Sequence, residues 1–246
     1  MITTEKIQVK KLLSEGTTNA KTEKNELRTF ILYLSPSTFN SFGKNVCTDA
    51  SIGCIESCLN KSGLAAIYTS IEKARIAKTD FYFSQRTEFC EMLAKELINI
   101  SKNAVKGNYQ VAIRLNGTSD LDFHAIVKMR TEIDLLALPN LVFYDYTKHI
   151  GKIKKYLPLI QSGKYVLTFS RSENNWSECT EALNMGINVA VVFDDKKPFP
   201  SDYMGFQVID GDKSDIEMLS NSGLILGLKA KGKAKKDTTG FVVRNL

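Results

Sequence analysis

Short apolar runs, each followed by polar residues, recur along the chain. The first, at residues 29–36, is rich in β-branched and aromatic side chains and ends at a proline. Runs of roughly five apolar residues are typical of strands buried on both faces, and such strands belong to parallel sheets. Further runs of this kind lie at residues 109–120, 140–148, 164–175, 187–195, 205–215 and 223–232.

Helical patterns lie between the strands. In residues 86–107 the apolar positions recur at spacings of three and four, which predicts an amphipathic helix that ends at Gly107. Residues 174–186 predict a shorter helix that begins at an asparagine and ends at Gly186. Because strands and helices alternate, the sequence predicts an α/β fold.

The residues that follow the strands decide between an open sheet and a barrel. Neither a Gly-x-Gly-x-x-Gly fingerprint nor a phosphate-binding loop follows a strand. Instead, nearly every strand ends in charged or amide residues, and (β/α) barrels build their active sites from such residues at one end of the strands. We therefore predict a (β/α) barrel-like, partial fold of mostly parallel strands.

The domain organisation is predicted to be simple. We expect one α/β domain over residues 1–246, with a polar N-terminal segment at 1–28 and a basic C-terminal segment at 229–246. The basic stretch at 229–236, KAKGKAKK, is typical of segments that attract phosphate or nucleic acid. A solvated, flexible tail is the alternative interpretation.

The composition of the chain bears on the cellular compartment that is expected for the protein. Lys and Arg number 33 against 27 Asp and Glu, which gives a net charge of +6. No apolar stretch is long enough to cross a bilayer, and the charged N-terminus lacks the apolar core of a signal peptide. We therefore expect a cytoplasmic protein with no membrane contact, in which thiols stay reduced and do not form disulfides.

Three of the five cysteines, Cys47, Cys54 and Cys58, lie within twelve residues. Thiolates are soft ligands that select zinc or iron–sulfur clusters, so this trio predicts a metal site. A structural zinc needs a fourth ligand, whereas a cluster on three cysteines leaves one iron open. Unligated or redox-active thiols are the alternatives. Cys90 and Cys179 fall in helical patterns and are expected to be core residues.

Polar residues at the strand ends are the candidates for substrate chemistry. Arg114 interrupts an apolar strand, and its planar fork suits a carboxylate or a phosphate. A role as a helix cap would account for Asp120 as well as a functional role does. A simple Asp-Gly turn would likewise account for Asp210. The catalytic candidates are Asp145, Lys148 and Asp210; the substrate-binding candidates are Arg114, Asn116, Asp120, Ser170, Arg171, Lys229 and Lys231.

The order of these motifs resembles that of a known family. The cysteine segment, RLNGTSD, FYDYTK, LTFSRSE, NVAVVF, IDGDKSD and GLKAKG follow one another between about residues 16 and 243, as in the phage gene product 88 family. The resemblance implies a phage or prophage origin, and hence the cytoplasm of a bacterial host. It implies no reaction.

A second resemblance, at the level of the fold alone, is to radical S-adenosylmethionine enzymes. These are partial barrels with three cysteines after the first strand, which hold an iron–sulfur cluster. This chain has the cysteines after residues 29–36, but spaced Cys-x6-Cys-x3-Cys instead of the usual Cys-x3-Cys-x2-Cys. It also lacks a clear Gly-Gly-Glu-like motif. The resemblance implies an iron–sulfur cluster with S-adenosylmethionine as a possible cofactor.

Two functions of different classes follow from these features. The first is a metal- or iron–sulfur-dependent barrel enzyme that acts on an anionic substrate, either a nucleotide or nucleic acid. The second is a non-enzymatic phage accessory protein that binds nucleic acid, with a structural zinc on the cysteines. A soluble domain with free thiols that makes protein contacts is the third alternative.

Overall fold

The structure is a computed structural model, and it describes residues 9–16, 27–58, 68–213 and 223–244. Its strands are β1 Leu13–Glu15, β2 Arg28–Leu32, β3 Val111–Arg114, β4 Leu141–Thr147, β5 Tyr165–Ser170, β6 Val189–Phe193, β7 Asp202–Tyr203, β8 Phe206–Asp210 and β9 Ile225–Lys229. Its helices are α1 Ile52–Glu56, α2 Thr69–Ser84, α3 Arg86–Gly107, α4 Phe123–Thr131, α5 Ile150–Gln161 and α6 Trp176–Asn184. Short 3-10 helices lie at Leu135–Ala137 and Gly232–Lys236.

The strands form one mixed, mostly parallel sheet in the order β1-β2-β3-β4-β5-β6-β9-β8-β7. From β2 to β6 each strand is parallel to the next one along the chain. The antiparallel pairs are β1 with β2 and β7 with β8, at the two edges. The sequential parallel order from β2 to β6 is that of a (β/α) barrel, but after β6 the order reverses to β9-β8-β7, and the sheet does not close. The predicted partial, barrel-like α/β fold is confirmed.

The helices cover one side of this sheet. Side chains of α3, α4, α5 and α6 belong to the same buried cluster as Ile113, Phe143 and Leu167 on the strands. Ala112, Tyr144 and Leu226 form a separate cluster on the other side. We call the first the helix side and the second the inner side, since a barrel carries its helices outside.

Helix α3 shows how the sequence determines an element. Phe89, Leu93 and Leu97 recur every four residues and are fully buried. The helix ends at Gly107, and Asn108 follows in the left-handed conformation, with a φ of 51°. Both ends agree with the prediction from the sequence.

Helix α2 and strand β1 were not predicted. The buried positions of α2 include Thr79 and Asp80 beside Phe81, so the helix has no clear apolar face. Strand β1 lies in the polar N-terminal segment, where the backbone N–H groups of Leu12 and Leu13 donate to the Glu96 carboxylate at 2.7 and 2.9 Å. No helix within the described ranges is long and apolar enough to span a membrane.

Candidate functional site at the carboxyl ends of the strands

The cysteine loop, residues 45–58, lies across the carboxyl ends of the parallel strands. At one end it is held by the loop that follows β3. The backbone N–H of Asp120 donates to the carbonyl of Val46 at 2.8 Å, and the Cys47 thiol lies 3.7 Å from the carbonyl of Thr118. Val46 is fully buried. The first cysteine is therefore fixed beside the ends of β2 and β3.

At its other end the cysteine loop is held by Glu173, which follows β5. The Ser51 hydroxyl donates to one Glu173 oxygen at 2.6 Å, and the N–H of Gly53 donates to the other at 2.9 Å. Partial burial opposes ionisation of Glu173, but these two hydrogen bonds hold its pKa below the usual range. The Ser51 oxygen also accepts from the N–H of Cys54 at 3.2 Å and so caps α1.

Gly53 allows α1 to approach the C-terminal segment closely. A Cβ atom at this position would lie 2.2 Å from the Thr239 hydroxyl oxygen and 2.6 Å from the Cβ of Phe241. A larger residue would therefore push α1 away from this segment. The cysteine loop consequently spans the sheet from the end of β3 to the end of β5 and to residues 239–241.

The Glu173 contacts predict a change in thiol accessibility. Glu173→Ala removes both hydrogen bonds to the cysteine loop, and bonds to a charged acceptor contribute roughly 1.5 kcal/mol or more each. We expect alkylation of Cys54, followed by mass spectrometry, to become about tenfold faster. The matched control is Glu178→Ala in α6, where the carboxylate contacts its neighbour Ser177. Equal alkylation rates in the two variants would contradict this account of the loop.

The three thiols lie near one another, although they do not form a closed ligand set. Burial, with smaller contributions from the Cys58 and Cys54 thiols, raises the pKa of Cys47 to about 12. Cys58 also acts electrostatically on Arg75, whose guanidinium lies 4.7 Å from the ring centre of Tyr33. Across the described ranges, no three histidine, cysteine or acidic side chains are close enough to hold one metal ion.

Beneath the cysteine loop, the inner side of the sheet is basic. Three of the predicted residues share it by strand alternation, namely Arg114 on β3, Lys148 just after β4, and Ser170 on β5. The Arg114 guanidinium lies 4.7 Å from the ring centre of Tyr146, and the Lys148 ammonium lies 5.7 Å from that of Phe241. On the parallel strands β2 to β6, no carboxylate occupies the inner side.

Asp145 and Asn116 lie on the helix side instead. Asp145 accepts hydrogen bonds from the N–H and the side-chain amide of Asn116, at 2.8 and 3.1 Å, and lies 3.4 Å from the Tyr165 hydroxyl. Burial raises the pKa of Asp145, although Lys152 and Arg114 oppose this change. The structure thus places this pair within a buried network between strands and helices.

Asp120 joins the same region to α5. Its carboxylate accepts from the Thr147 hydroxyl at 2.9 Å, from the N–H of Lys148 at 2.8 Å and from the Lys152 ammonium at 3.3 Å. The cap of α4 is Asp122, not Asp120. Asp120 therefore holds the start of α5 in place.

The remaining predicted residues contact the protein itself. The Arg171 guanidinium donates to the carbonyls of Gly240 and Phe241, at 2.7 and 2.8 Å. Lys231 pairs with Asp212 at 2.7 Å. The others in this group are Lys229, which donates to the carbonyl of Asp194 at 3.2 Å, and Asp210, which accepts from the N–H of Asp212 at 2.9 Å.

The C-terminal segment is folded against the rest of the chain as far as residue 244. Ala234, Phe241 and Val242 are buried, and Val243 bridges to Phe193 of β6. A groove of about 670 Å³ separates the 3-10 helix Gly232–Lys236 from the end of α1. Its lining residues are Glu56, Ser57, Gly232, Lys233, Lys236, Asp237 and Thr238. A second groove of about 660 Å³, between α3 and α4, lies on the outer helical layer.

Several residues of this region were not singled out from the sequence. Thr168 and Tyr146 lie within the motifs LTFSRSE and FYDYTK, but only their place on the inner side links them to Arg114. Glu173 follows a strand, as the predicted candidates do, but its contact with the cysteine loop joins residues 120 positions apart. Such a contact leaves no local signal in the sequence.

The model of the gene product 88 family matches residues 8–245, nearly the whole chain. The chain therefore belongs to the phage gene product 88 family, as its motif order indicated. Comparison with curated proteins and with solved structures gives no match. The family match names no reaction.

Proposed function

We propose that this gene product 88 protein is a metal- or iron–sulfur-dependent enzyme that acts on an anionic substrate. Cys47, Cys54 and Cys58 converge on the metal when it binds, above the basic inner side of the sheet. The reducing cytoplasm of the bacterial host keeps these thiols available. The reaction site is the space between the cysteine loop and the inner side.

The observation that carries this proposal is the course of the cysteine loop. Catalytic residues of (β/α) barrels lie at the carboxyl ends of the strands, and this loop lies there between two fixed points, the turn after β3 and Glu173. A structural metal would serve equally well elsewhere on the surface. The position of the cysteine loop over the strand ends therefore favours a catalytic role for the metal over a structural one.

The charges around the loop support an anionic substrate. Arg114 and Lys148 occupy the inner side, and Arg75 is near Cys58. Positive groups also favour thiolates over thiols, and a bound metal requires the thiolate form. Since the pKa of Cys47 is about 12, metal binding must displace its proton.

The test is metal and sulfide analysis, with an absorption spectrum, of protein purified without oxygen. We expect wild-type protein to carry either a coloured iron–sulfur cluster or one zinc ion per chain, and Cys54→Ala to lose it. The matched control is Cys179→Ala, because Cys179 is a buried helical cysteine of α6 outside the loop. An iron–sulfur cluster would make S-adenosylmethionine the first co-substrate to add. Equal metal content in wild type and Cys54→Ala would overturn the proposal.

A second candidate function is that of an accessory protein that binds nucleic acid, with a structural zinc on the cysteines. The observation in its favour is that Lys233 and Lys236 are exposed at the groove beside α1. Binding to unrelated single-stranded sequences that weakens steeply with salt, together with zinc and no turnover, would favour this function. Unchanged binding after Lys233→Glu and Lys236→Glu would argue against it.

A further inference from the structure

Two aromatic rings lie at the surface beside the loop that leads from β2 to the cysteine loop. Phe42 of this loop is 45% exposed, and its ring centre lies 6.1 Å from that of Phe83 near the end of α2. Phe83 is itself only half-buried. Apolar groups that are exposed next to one another, unlike single exposed side chains, mark interaction sites.

The loop that carries Phe42 is held in place by side-chain hydrogen bonds. The Asn40 side-chain oxygen accepts from the N–H groups of Phe42 and Lys44, at 3.1 and 3.3 Å, and its amide donates to the carbonyl of Lys44 at 2.7 Å. Ser41 donates to the Asp80 carboxylate through its N–H at 3.0 Å and its hydroxyl at 2.5 Å. A partner that stacks on Phe42 therefore finds the ring already positioned, which lowers the entropy cost of binding.

Positive groups lie against the same rings. The Lys44 ammonium lies 5.8 Å from the ring centre of Phe42 and 5.4 Å from that of Phe83. The Arg86 guanidinium lies 5.8 Å from the ring centre of Phe83 and 4.5 Å from that of Tyr82. Among the described residues, neither cation forms an ion pair, and the Arg86 Nε has no hydrogen-bond partner. We call Phe42, Phe83, Lys44 and Arg86 the aromatic patch.

The combination of exposed rings and unpaired cations indicates the kind of partner. Proteins bind single-stranded nucleic acid by stacking bases on aromatic side chains while basic groups contact the phosphates. In a duplex the faces of the bases are covered by their neighbours, so a duplex cannot stack on a surface ring. An apolar protein surface would cover the rings but would leave Lys44 and Arg86 without a counter-charge. These considerations favour a single strand.

We infer that the aromatic patch binds single-stranded nucleic acid, with one base stacked on Phe42 and the adjoining phosphates at the two cations. The cysteine loop begins directly after Lys44, and the N–H of Val46 donates to the carbonyl of Ser37 at 3.2 Å. A strand on the aromatic patch is therefore adjacent to the candidate site. The inference rests on the proposed function in one respect, namely that the anionic substrate is nucleic acid and not a free nucleotide.

The test is fluorescence anisotropy with labelled oligothymidylate and oligouridylate of about 12 nucleotides, and with a duplex of the same length. We expect wild-type protein to bind the single strands roughly tenfold more tightly than the duplex, and Phe42→Ala to weaken single-strand binding roughly tenfold. Phe42→Leu is expected to be as weak as Phe42→Ala, because leucine is apolar but cannot stack, whereas Phe42→Trp should retain binding. Binding of either strand supports the inference, and the tighter of the two identifies DNA or RNA as the partner.

Charge and position are tested by further variants. Lys44→Gln is expected to make the slope of log affinity against log salt concentration shallower by about 0.7, the value for one lost phosphate contact to a single strand. The matched control is Met204→Ala, because Met204 is 60% exposed in the turn between β7 and β8, at the opposite edge of the sheet, and should not affect binding. Metal-free Cys54→Ala is expected to bind the oligonucleotides like wild type. A failure of the metal proposal would therefore leave this test intact.

Several results would overturn the inference. They are the absence of single-strand binding, equal binding of the duplex, and wild-type affinity in Phe42→Leu. Loss of binding in Lys233→Glu with unchanged binding in Phe42→Ala would place the nucleic acid at the other groove instead. Self-association of wild-type protein in analytical ultracentrifugation that Phe42→Ala abolishes, without any oligonucleotide binding, would assign the aromatic patch to a second copy of the chain.

Discussion

Asp120→Ala is expected to lower the free energy of unfolding by about 3–5 kcal/mol, because it leaves a buried ammonium group without its counter-charge. The Lys152 side chain is 4% exposed, and its ammonium lies 3.3 Å from the Asp120 carboxylate. The same carboxylate accepts bonds from Thr147 and from the N–H of Lys148. For a chain of this length the loss corresponds to a fall in Tm of roughly 10 °C, measurable by calorimetry.

The matched control for Asp120→Ala is an exposed ion pair. The Lys154 ammonium lies 2.7 Å from the Glu181 carboxylate, closer than in the buried pair, but the two side chains are 53% and 43% exposed. Lys154→Ala is expected to cost at most about 0.5 kcal/mol, because solvent screens such a pair. Equal losses in the two variants would show that burial of Lys152 does not determine the energy.

A double variant tests the cause of the loss. Asp120→Ala combined with Lys152→Met removes both charges and replaces the ammonium with an apolar group of similar length. We expect it to be more stable than Asp120→Ala alone, since the penalty arises from the unpaired charge. If the double variant is less stable still, the energy comes from the hydrogen bonds to Thr147 and Lys148.

The sequence predicts much of the fold because the relevant signals are local. The apolar runs of β2 to β6 and the three- and four-residue spacing in α3 each lie within one element. Strand β1 cannot be predicted from local signals, because the N–H groups of Leu12 and Leu13 donate to Glu96, more than 80 residues away. Helix α2 cannot be predicted from local signals either, because its polar residues Thr79 and Asp80 are buried through contacts with Ser35 and Ser41.

The sequence identifies only some features of the candidate site. Strand ends identify Arg114, Lys148 and Ser170 together with Asp145, but not which side of the sheet each side chain takes. Alternation along β4 puts Asp145 and Lys148 on opposite sides. Which of these is the inner side depends on where the helices pack, and that is a property of the whole chain.

His124→Phe is expected to remove most of an acid-induced loss of stability that wild-type protein shows below pH 6.5. His124 of α4 is 5% exposed, and neither ring nitrogen has a hydrogen-bond partner. Its ring centre lies 4.8 Å from that of Phe143 and 4.7 Å from that of Tyr165. Burial, and then the positive charge of Lys152, lower the pKa of His124 from 6.5 to about 3.

The direction of the pH effect follows from proton uptake. Below pH 6.5 the unfolded chain binds a proton at His124, whereas the folded protein does not until the pH nears 3. Stability is therefore complete above pH 6.5 and falls as the pH decreases, by on the order of 3 kcal/mol at pH 4. Phenylalanine fits the aromatic surroundings and has no proton to bind.

The measurement is urea denaturation of wild type and His124→Phe at several pH values between 8 and 4. The difference at pH 8 gives the packing effect of the substitution, and the change in that difference toward pH 4 isolates the proton of His124. The raised pKa of Asp145 acts in the opposite direction, because protonation of that carboxyl favours the folded state, but Asp145 is present in both proteins. Parallel stability curves for the two proteins would mean that His124 finds a partner for its proton inside the folded protein.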